Sequence, residues 1–319
     1  MATSLAVPKR VYSSVKPLWV KLFLIRPKII PIRAKKARLG QPIPIGGRYL
    51  YTMRREEAGI LHLYLNVAIH AAIEAAEVLR KHRKEGFTTL EKADASLVTS
   101  ADLAADAVIT KHLSTTGIPV LTEETEHRFT DKDRAGWNRF WLVDPLDGTK
   151  EYVSGNGEYT VNIALIENGR PSLGIIGIPE AHMCYMTHPR IGPVRASETD
   201  LKRFGASDTY VALPDHSTDS LTAVVSRSHL REATTEYIEN LRAEHPDMEV
   251  VRAGSALKFC RMAEGKADLY PRFSPCMIWD IAAGEALIGA SGKRLLLVET
   301  GEVIDYRTAP LLVPPFVAE

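Results

Sequence analysis

The apolar run Phe140-Trp141-Leu142-Val143, followed at once by Asp144-Pro145-Leu146-Asp147-Gly148-Thr149, constrains this chain more than any other stretch. The run reads as a buried strand, the proline as a block to its continuation, and Gly148-Thr149 as a helix opening with free backbone N–H groups. Two carboxylates three positions apart therefore stand at a bend between strand and helix. Magnesium takes carboxylates, carbonyls and water and shares its shell with substrate phosphates, so the bend suits a metal-bound phosphate site. An acidic turn is the plain alternative, because Asp-Pro and Asp-Gly are common turn pairs.

Two other segments share the pattern. Val120-Leu121-Thr122-Glu123-Glu124 ends a short apolar run in paired carboxylates, and Trp279-Asp280-Ile281-Ala282-Ala283-Gly284 sets an Asp at a helix start. Three acidic element ends suit a binuclear site. Taken singly, Glu123 and Glu124 read as solvated charges and Asp280 as an ordinary N-cap.

The rest of the chain supplies a scaffold. With 319 residues, 45% hydrophobic and 25% charged, it is long enough for a large core and two domains. Residues 61–82 carry alanine and aliphatic side chains at helical spacing, with acids toward the front and Arg80, Lys81, His82 and Arg83 at the end, as a helix dipole favours. His62, His70 and His82 along it read as surface or packing residues. A second helix is expected over residues 102–112, then strands at Val120 and Trp141. Two β-runs, 160–166 and 173–178, flank Asn168-Gly169, a strong hairpin signal. A polar stretch from about residue 195 to 220 carries the expected domain boundary, and a strand over 223–226 opens a unit of alternating helices and short strands. Cys184, Cys260 and Cys276 show neither disulfide nor zinc spacing and point to a reducing compartment, with Cys276 a packing residue.

Charge divides the chain unevenly. Residues 1–50 hold 11 Lys or Arg, six prolines and no Asp or Glu, leaving the remainder with 29 basic against 39 acidic residues. The apolar pieces of this head are interrupted by charges and prolines, so no membrane-spanning helix fits there. It lacks acids as a transit peptide does, but is not especially Ser-rich. Residues 1–55 are thus expected as a basic extension without a folding role. It is sequence upstream of a start at Met53, an organelle-targeting segment over residues 1–52, or an arm making peripheral contact with an anionic membrane, while no stable nucleic-acid partner is expected.

The motifs taken together resemble the inositol monophosphatase-like superfamily, and within it the CysQ-type 3'(2'),5'-bisphosphate nucleotidases. The resemblance rests on Leu97-Val98-Thr99-Ser100-Ala101-Asp102, Leu121-Thr122-Glu123-Glu124, Trp141 through Glu151, Asn156 through Leu165, Ser226-Arg227-Ser228-His229, Gly254 through Cys260, and Ala263 through Asp280. It implies an α/β fold, a layered α/β/α/β/α sandwich. Residues 56–206 form an α+β half with an antiparallel sheet, residues 207–319 an α/β half, and the metals lie in the cleft between them. It further implies that Glu123, Asp144 and the Leu146 carbonyl bind one Mg2+, that Asp144, Asp147 and Asp280 bind a second, and that Glu123 helps hold a weak third through water. Thr149 and Asp102 become the pair that takes the proton of the attacking water, although cap preference alone makes Asp102 an N-cap. Gly148 and Thr149 offer N–H groups to the phosphate. Ser226, His229, Ser255, Lys258 and Arg272 fall at substrate-contacting positions beside Glu123, Leu146, Asp147 and Asp280.

The activity so implied is a magnesium-dependent, lithium-sensitive phosphomonoester hydrolase of sulfur metabolism. In the cytoplasm it removes the 3'-phosphate of adenosine 3',5'-bisphosphate to give AMP and phosphate. An inositol or sugar phosphatase on the same fold is the nearer rival, and a non-catalytic RNA- or membrane-binding scaffold the further one, opposed by the complete ligand set. The sequence departs from the family pattern at Phe273-Ser274-Pro275-Cys276-Met277-Ile278, at Ile281 and at Thr122. None of these removes a metal ligand, so the loop beside Asp280 bears on substrate preference.

Overall fold

The computed structural model describes residues 42–45, 48–51, 55–91, 97–203, 210–228 and 231–319, with side chains from residue 58 onward. The expectations for His229 and for the basic head up to residue 41 lie outside these residues. The last part of the expected extension pairs as a hairpin, Pro42–Ile45 with Arg48–Tyr51, in the register Pro42↔Tyr51 to Ile45↔Arg48.

Alternation in the apolar strands builds two cores from one sheet. Phe140 and Leu142 point to one face while Trp141 and Val143 point to the other, as the two-residue period of a strand requires. The sheet has seven strands in the order Val211–Ala212, Gly192–Ser197, Met183–His188, Arg170–Ile178, Thr160–Glu167, Arg139–Asp147, Val120–Thr122. Asn168 and Gly169 take positive φ values of 51° and 81°, so the expected Asn-Gly turn joins its two central strands.

On the Trp141 face lie the helices Arg55–Glu85 and Ser100–Ser114, which bury Leu65, Ala68, Ala72, Leu79, Ala105 and Ile109. By length and composition residues 58–85 could cross a membrane, but half of that stretch is covered by the rest of the fold. On the Phe140 face lie the helices Leu257–Glu264 and Ile278–Ala290, which contribute Phe259, Met262, Trp279, Ala282 and Ala283 to the second core. Beyond them stands a smaller sheet. The parallel pair Thr222–Ser226 and Glu249–Ala253 connects through an Ala223↔Leu269 bridge to the strands Tyr270–Arg272, Phe316–Ala318 and Leu295–Leu297. The helix Glu232–Glu244 covers its outer face through Ile238 and Leu241, packed with Ala223, Val225 and Val317. The layers therefore run helix, sheet, helix, sheet, helix.

Two expectations need correction. The first sheet is mixed, because its edge strand Val120–Thr122 runs parallel to Arg139–Asp147 while the other pairings are antiparallel. Pro145 does not end its strand either, since Arg139–Asp147 continues through the proline by way of a bulge.

Candidate active site

The bulge is what assembles the carboxylates. Asp144 pairs with Asn162 and Asp147 with Thr160, so Pro145 and Leu146 together stand opposite Val161 alone. In a regular strand residues three apart face opposite sides; the extra residue returns Asp147 to the side of Asp144. Asp144 continues the alternation of Phe140 and Leu142 and so faces the middle helical layer. The bulge also absorbs the missing N–H of Pro145, which a regular central strand would not tolerate.

Glu123 arrives from the neighbouring parallel strand. Thr122 is in register with Val143, and the Glu123 N–H donates to the Val143 carbonyl at 3.1 Å, which carries Glu123 alongside Asp144. Asp280 arrives from the opposite side as the third residue of the helix Ile278–Ala290, where it accepts from the Met277 N–H at 3.1 Å. Its role as a cap at that helix start coexists with a place in the cleft.

The electrostatics of this group are costly for a protein without bound cations. Asp144 is 2% exposed. Burial first, and then the charges of Glu123, Asp147 and Asp280, push its carboxyl well above the usual carboxylate range. Asp280 is pushed up to about 7 by burial and by Asp147. Burial also raises Asp147, against the pull of Lys258 and Arg272 and a hydrogen bond from Asn162. All the donors are hard oxygens, and the mutual repulsion is what divalent cations would relieve, so the residue set fits Mg2+ in kind and charge. Among the described residues, however, no group of three or more His, Cys, Asp or Glu is already drawn tightly enough to cage a metal ion.

Beside the carboxylates, Thr149 Oγ1 donates to Asp102 Oδ1 at 3.2 Å and lies 3.4 Å from the Leu146 carbonyl. Asp102 is not the N-cap of its helix. Thr99 is, and Asp102 closes the reciprocal box by accepting from the Thr99 N–H at 2.8 Å and from the Thr99 hydroxyl. Thr99 thus occupies Oδ2 and leaves Oδ1 turned to Thr149. Burial raises the Asp102 carboxyl despite these bonds, which makes it a better proton acceptor than a surface aspartate. The signal for Thr99 in the sequence is the Thr-x-x-Asp spacing of a reciprocal cap.

A cleft of about 350 Å³ opens over this constellation, and Glu123, Asp147, Gly148, Thr149, Ser226, Ser255, Lys258, Arg272 and Asp280 all line it. Asp144, Asp102 and Leu146 are not among its lining residues and are almost fully buried. The cationic residues expected at its wall have partners within the fold. Lys258, 2% exposed, donates to the Ser255 carbonyl at 2.6 Å and lies 5.3 Å over the Tyr270 ring; burial lowers it to about 8. Arg272 donates to the Ser274 and Pro275 carbonyls at 3.3 and 3.0 Å and to the Tyr270 hydroxyl at 3.1 Å. It therefore braces the departing segment after Phe273, whose Cys276–Met277 pairs with Leu312–Val313. Burial pushes the Cys276 thiol up to about 12, in keeping with a packing role.

Sequence reasoning also missed a clasp across the cleft. Glu158 accepts from Arg227 at 2.7 Å on each oxygen and from the Gly254 N–H at 2.8 Å, while the Ser255 hydroxyl lies 2.7 Å from the Glu158 carbonyl and 3.0 Å from that of Asp147. Gly148, at φ 91°, has no room for a Cβ because Ser255 Oγ occupies that space. Nothing in the local pattern links partners 69 to 108 positions apart.

Residues 61–316 match the inositol monophosphatase family. The chain belongs to that family. Its members are generally metal-dependent phosphatases acting on small phosphate esters. Over 218 residues the chain is 43% identical to the 3'(2'),5'-bisphosphate nucleotidase CysQ of Salmonella typhimurium strain LT2, covering 67% of this chain and 81% of that protein. It is likewise 43% identical over 220 residues to CysQ of Escherichia coli K12, covering 68% and 82%. Among solved structures, CysQ from Bacteroides thetaiotaomicron superimposes with a TM-score of 0.72 at 36% identity, over 81% of this chain and 97% of that one. The inositol monophosphatase fold thus accounts for both sheets and the three helical layers.

Proposed function

We propose that the chain is a cytoplasmic 3'(2'),5'-bisphosphate nucleotidase that hydrolyses the 3'-phosphate of adenosine 3',5'-bisphosphate, giving AMP and phosphate, with two or three Mg2+ as cofactors. The observation that carries this reading is the burial of Asp144 among Glu123, Asp147 and Asp280 within reach of the Thr149–Asp102 pair. The CysQ relatives at 43% identity direct the choice of substrate.

Glu123, Asp144 and the Leu146 carbonyl would hold one ion and Asp144, Asp147 and Asp280 another. When bound, such ions neutralise phosphate oxygens and lower the pKa of a coordinated water. The chain's own part is to orient that water and remove its proton. The Thr149 hydroxyl is a weak base, so it relays the proton to Asp102 Oδ1, whose orientation Thr99 fixes and whose affinity for the proton burial has raised. Ser226, Ser255, Lys258 and Arg272 form the wall that the nucleoside and its second phosphate meet.

Phosphate release from adenosine 3',5'-bisphosphate, inositol 1-phosphate and a sugar phosphate, with and without Mg2+, tests the proposal. Magnesium-dependent preference for the bisphosphate and inhibition by lithium are expected. Preference for inositol 1-phosphate would reassign the substrate, and no release from any ester would remove the enzymatic reading.

A further inference from the structure

Resting on the magnesium-dependent reading just given, we infer that Asn162 is a positioning residue, whose amide N–H fixes the rotamer of Asp147 and whose carbonyl oxygen adds a neutral acceptor to the Mg2+ site. The strand Thr160–Glu167 is apolar except where it passes the carboxylates. Its Ala164 and Ile166 face the same core as Phe140 and Leu142, and the two-residue period brings Asn162 and Thr160 to that face. There they stand in register with Asp144 and Asp147 and are 1% and 0% exposed. Burying two polar side chains is costly unless they are bonded. Thr160 Oγ1 at 3.4 Å and Asn162 Nδ2 at 3.3 Å donate to the same atom, Asp147 Oδ2. Asp147 lies just past the bulge, where the pairing is irregular, so its side chain depends on this support. Two donors on one oxygen set the plane of the carboxylate and turn Oδ1 to the cleft, as Thr99 does for Asp102.

The other half of the amide carries the rest of the inference. Asn162 Oδ1 is buried and, among the described residues, accepts from no donor. The amide cannot be turned over to cure this, because its oxygen would then face the Asp147 carboxylate. Its partner in register is Asp144, and the charges crowding Asp144 are Glu123, Asp147 and Asp280, which only accept when ionised. A buried acceptor with no donor costs stability and calls for an explanation. Mg2+ supplies one, since a hard cation, or a water in its shell, meets an amide oxygen as readily as a carboxylate. Unlike a further carboxylate, the amide adds no charge to the crowded wall.

The test follows melting temperature and phosphate release against Mg2+ concentration in Asn162→Leu, which keeps the size and removes both polar atoms, and in Thr160→Val, which removes the other donor to Asp147. In EDTA, Asn162→Leu is expected to melt within about 3 °C of the native chain, because losing the donor to Asp147 is offset by losing the unpartnered acceptor. In Mg2+ its gain in melting temperature should shrink, and the Mg2+ concentration for half-maximal release should rise about tenfold, the scale of a charge-assisted hydrogen bond. Thr160→Val should raise that concentration about threefold, since Asn162 still holds the oxygen. Asn162→Ser, too short to reach both partners, covers a Leu variant that does not fold and should shift the midpoint the same way. An equal fall in melting temperature with and without Mg2+, the Mg2+ midpoint unmoved, would make Asn162 a packing residue and overturn the inference, as would native values throughout. Absence of any Mg2+ response in the native chain would instead overturn the magnesium-dependent reading, and the role of Asn162 with it.

Discussion

The two walls of the cleft are built on opposite principles. On the acidic wall, Asp144, Asp147 and Asp280 are crowded together, and burial and like charge hold their carboxyls above the ordinary range. On the basic wall, Lys258 and Arg272 already donate to carbonyls and a tyrosine hydroxyl before any substrate arrives. One wall is left electrostatically unsatisfied for an external cation. The other spends its charge on its own shape. An unfavourable charge cluster on a rigid frame is thus the better guide to chemistry than a cation in a pocket.

The sharpest way to break this contrast is Asp144→Asn, which keeps shape and removes the charge felt by the whole acidic wall. We expect kcat/KM to fall by about a thousandfold or more, the scale of losing a principal electrostatic stabiliser. The metal-free protein should melt at a higher temperature than the native one, and its stabilisation by Mg2+ should shrink. A thermal melt with and without Mg2+ reads both, and an unchanged Mg2+ response would remove Asp144 from the ligand set.

Next in size is Thr99→Val, which removes the hydroxyl donor to Asp102 Oδ2 and leaves the backbone N–H of residue 99 alone to orient the pair. A drop in kcat of about tenfold with KM unchanged is expected from misplacing a proton acceptor. Loss of helix stability alone would lower the melting temperature without changing the turnover of the folded fraction, so the two measurements separate positioning from capping.

The acidic wall also makes a prediction about pH. Asp280 is held at about 7 in the fold, against 3.8 for an unperturbed aspartate. Between those values the folded state keeps a proton that the unfolded state has lost, so the metal-free protein should lose stability as pH rises from about 4 to 7 and level off above. Mg2+ competes with those protons, and its stabilising effect should be largest above pH 7. Melting curves in EDTA and in Mg2+ across that range check the sign.

The smallest effect should come from Glu158→Gln, which keeps the side chain's shape but replaces one of its two accepting oxygens by an NH2 donor and loses the charge facing Arg227. Arg227 is about half exposed, so the pair should contribute no more than about 1 kcal/mol. A rise in KM of about threefold with kcat intact is expected; a large fall in kcat would show that the clasp reaches the acidic wall through Ser255 and Asp147.

Much of this was legible in the sequence because it is local. Apolar alternation around Phe140–Val143 and Thr160–Ile166, the Asn168-Gly169 turn and the helical spacing before His82 each carry a short-range physical rule. The bulge was not legible, because Pro145 reads as a strand terminator unless the pairing on Asn162 and Thr160 is known. Thr99 was missed because cap preference alone pointed to Asp102, and the resemblance turned Asp102 to catalysis without naming the residue that takes the cap. The commitments of Lys258 and Arg272 depend on which carbonyls the loops after Gly254 and Phe273 turn inward, and no spacing rule encodes that.

Asp280 is carried by the helix Ile278–Ala290, whose Trp279, Ala282 and Ala283 are wedged between the two sheets. That carboxylate cannot retreat without opening the interior, so the molecule has no intact state in which the fourth acid is withdrawn. Activity and cooperative melting should consequently vanish together on heating, and any gating of the reaction falls to the rim segments rather than to the body of the enzyme.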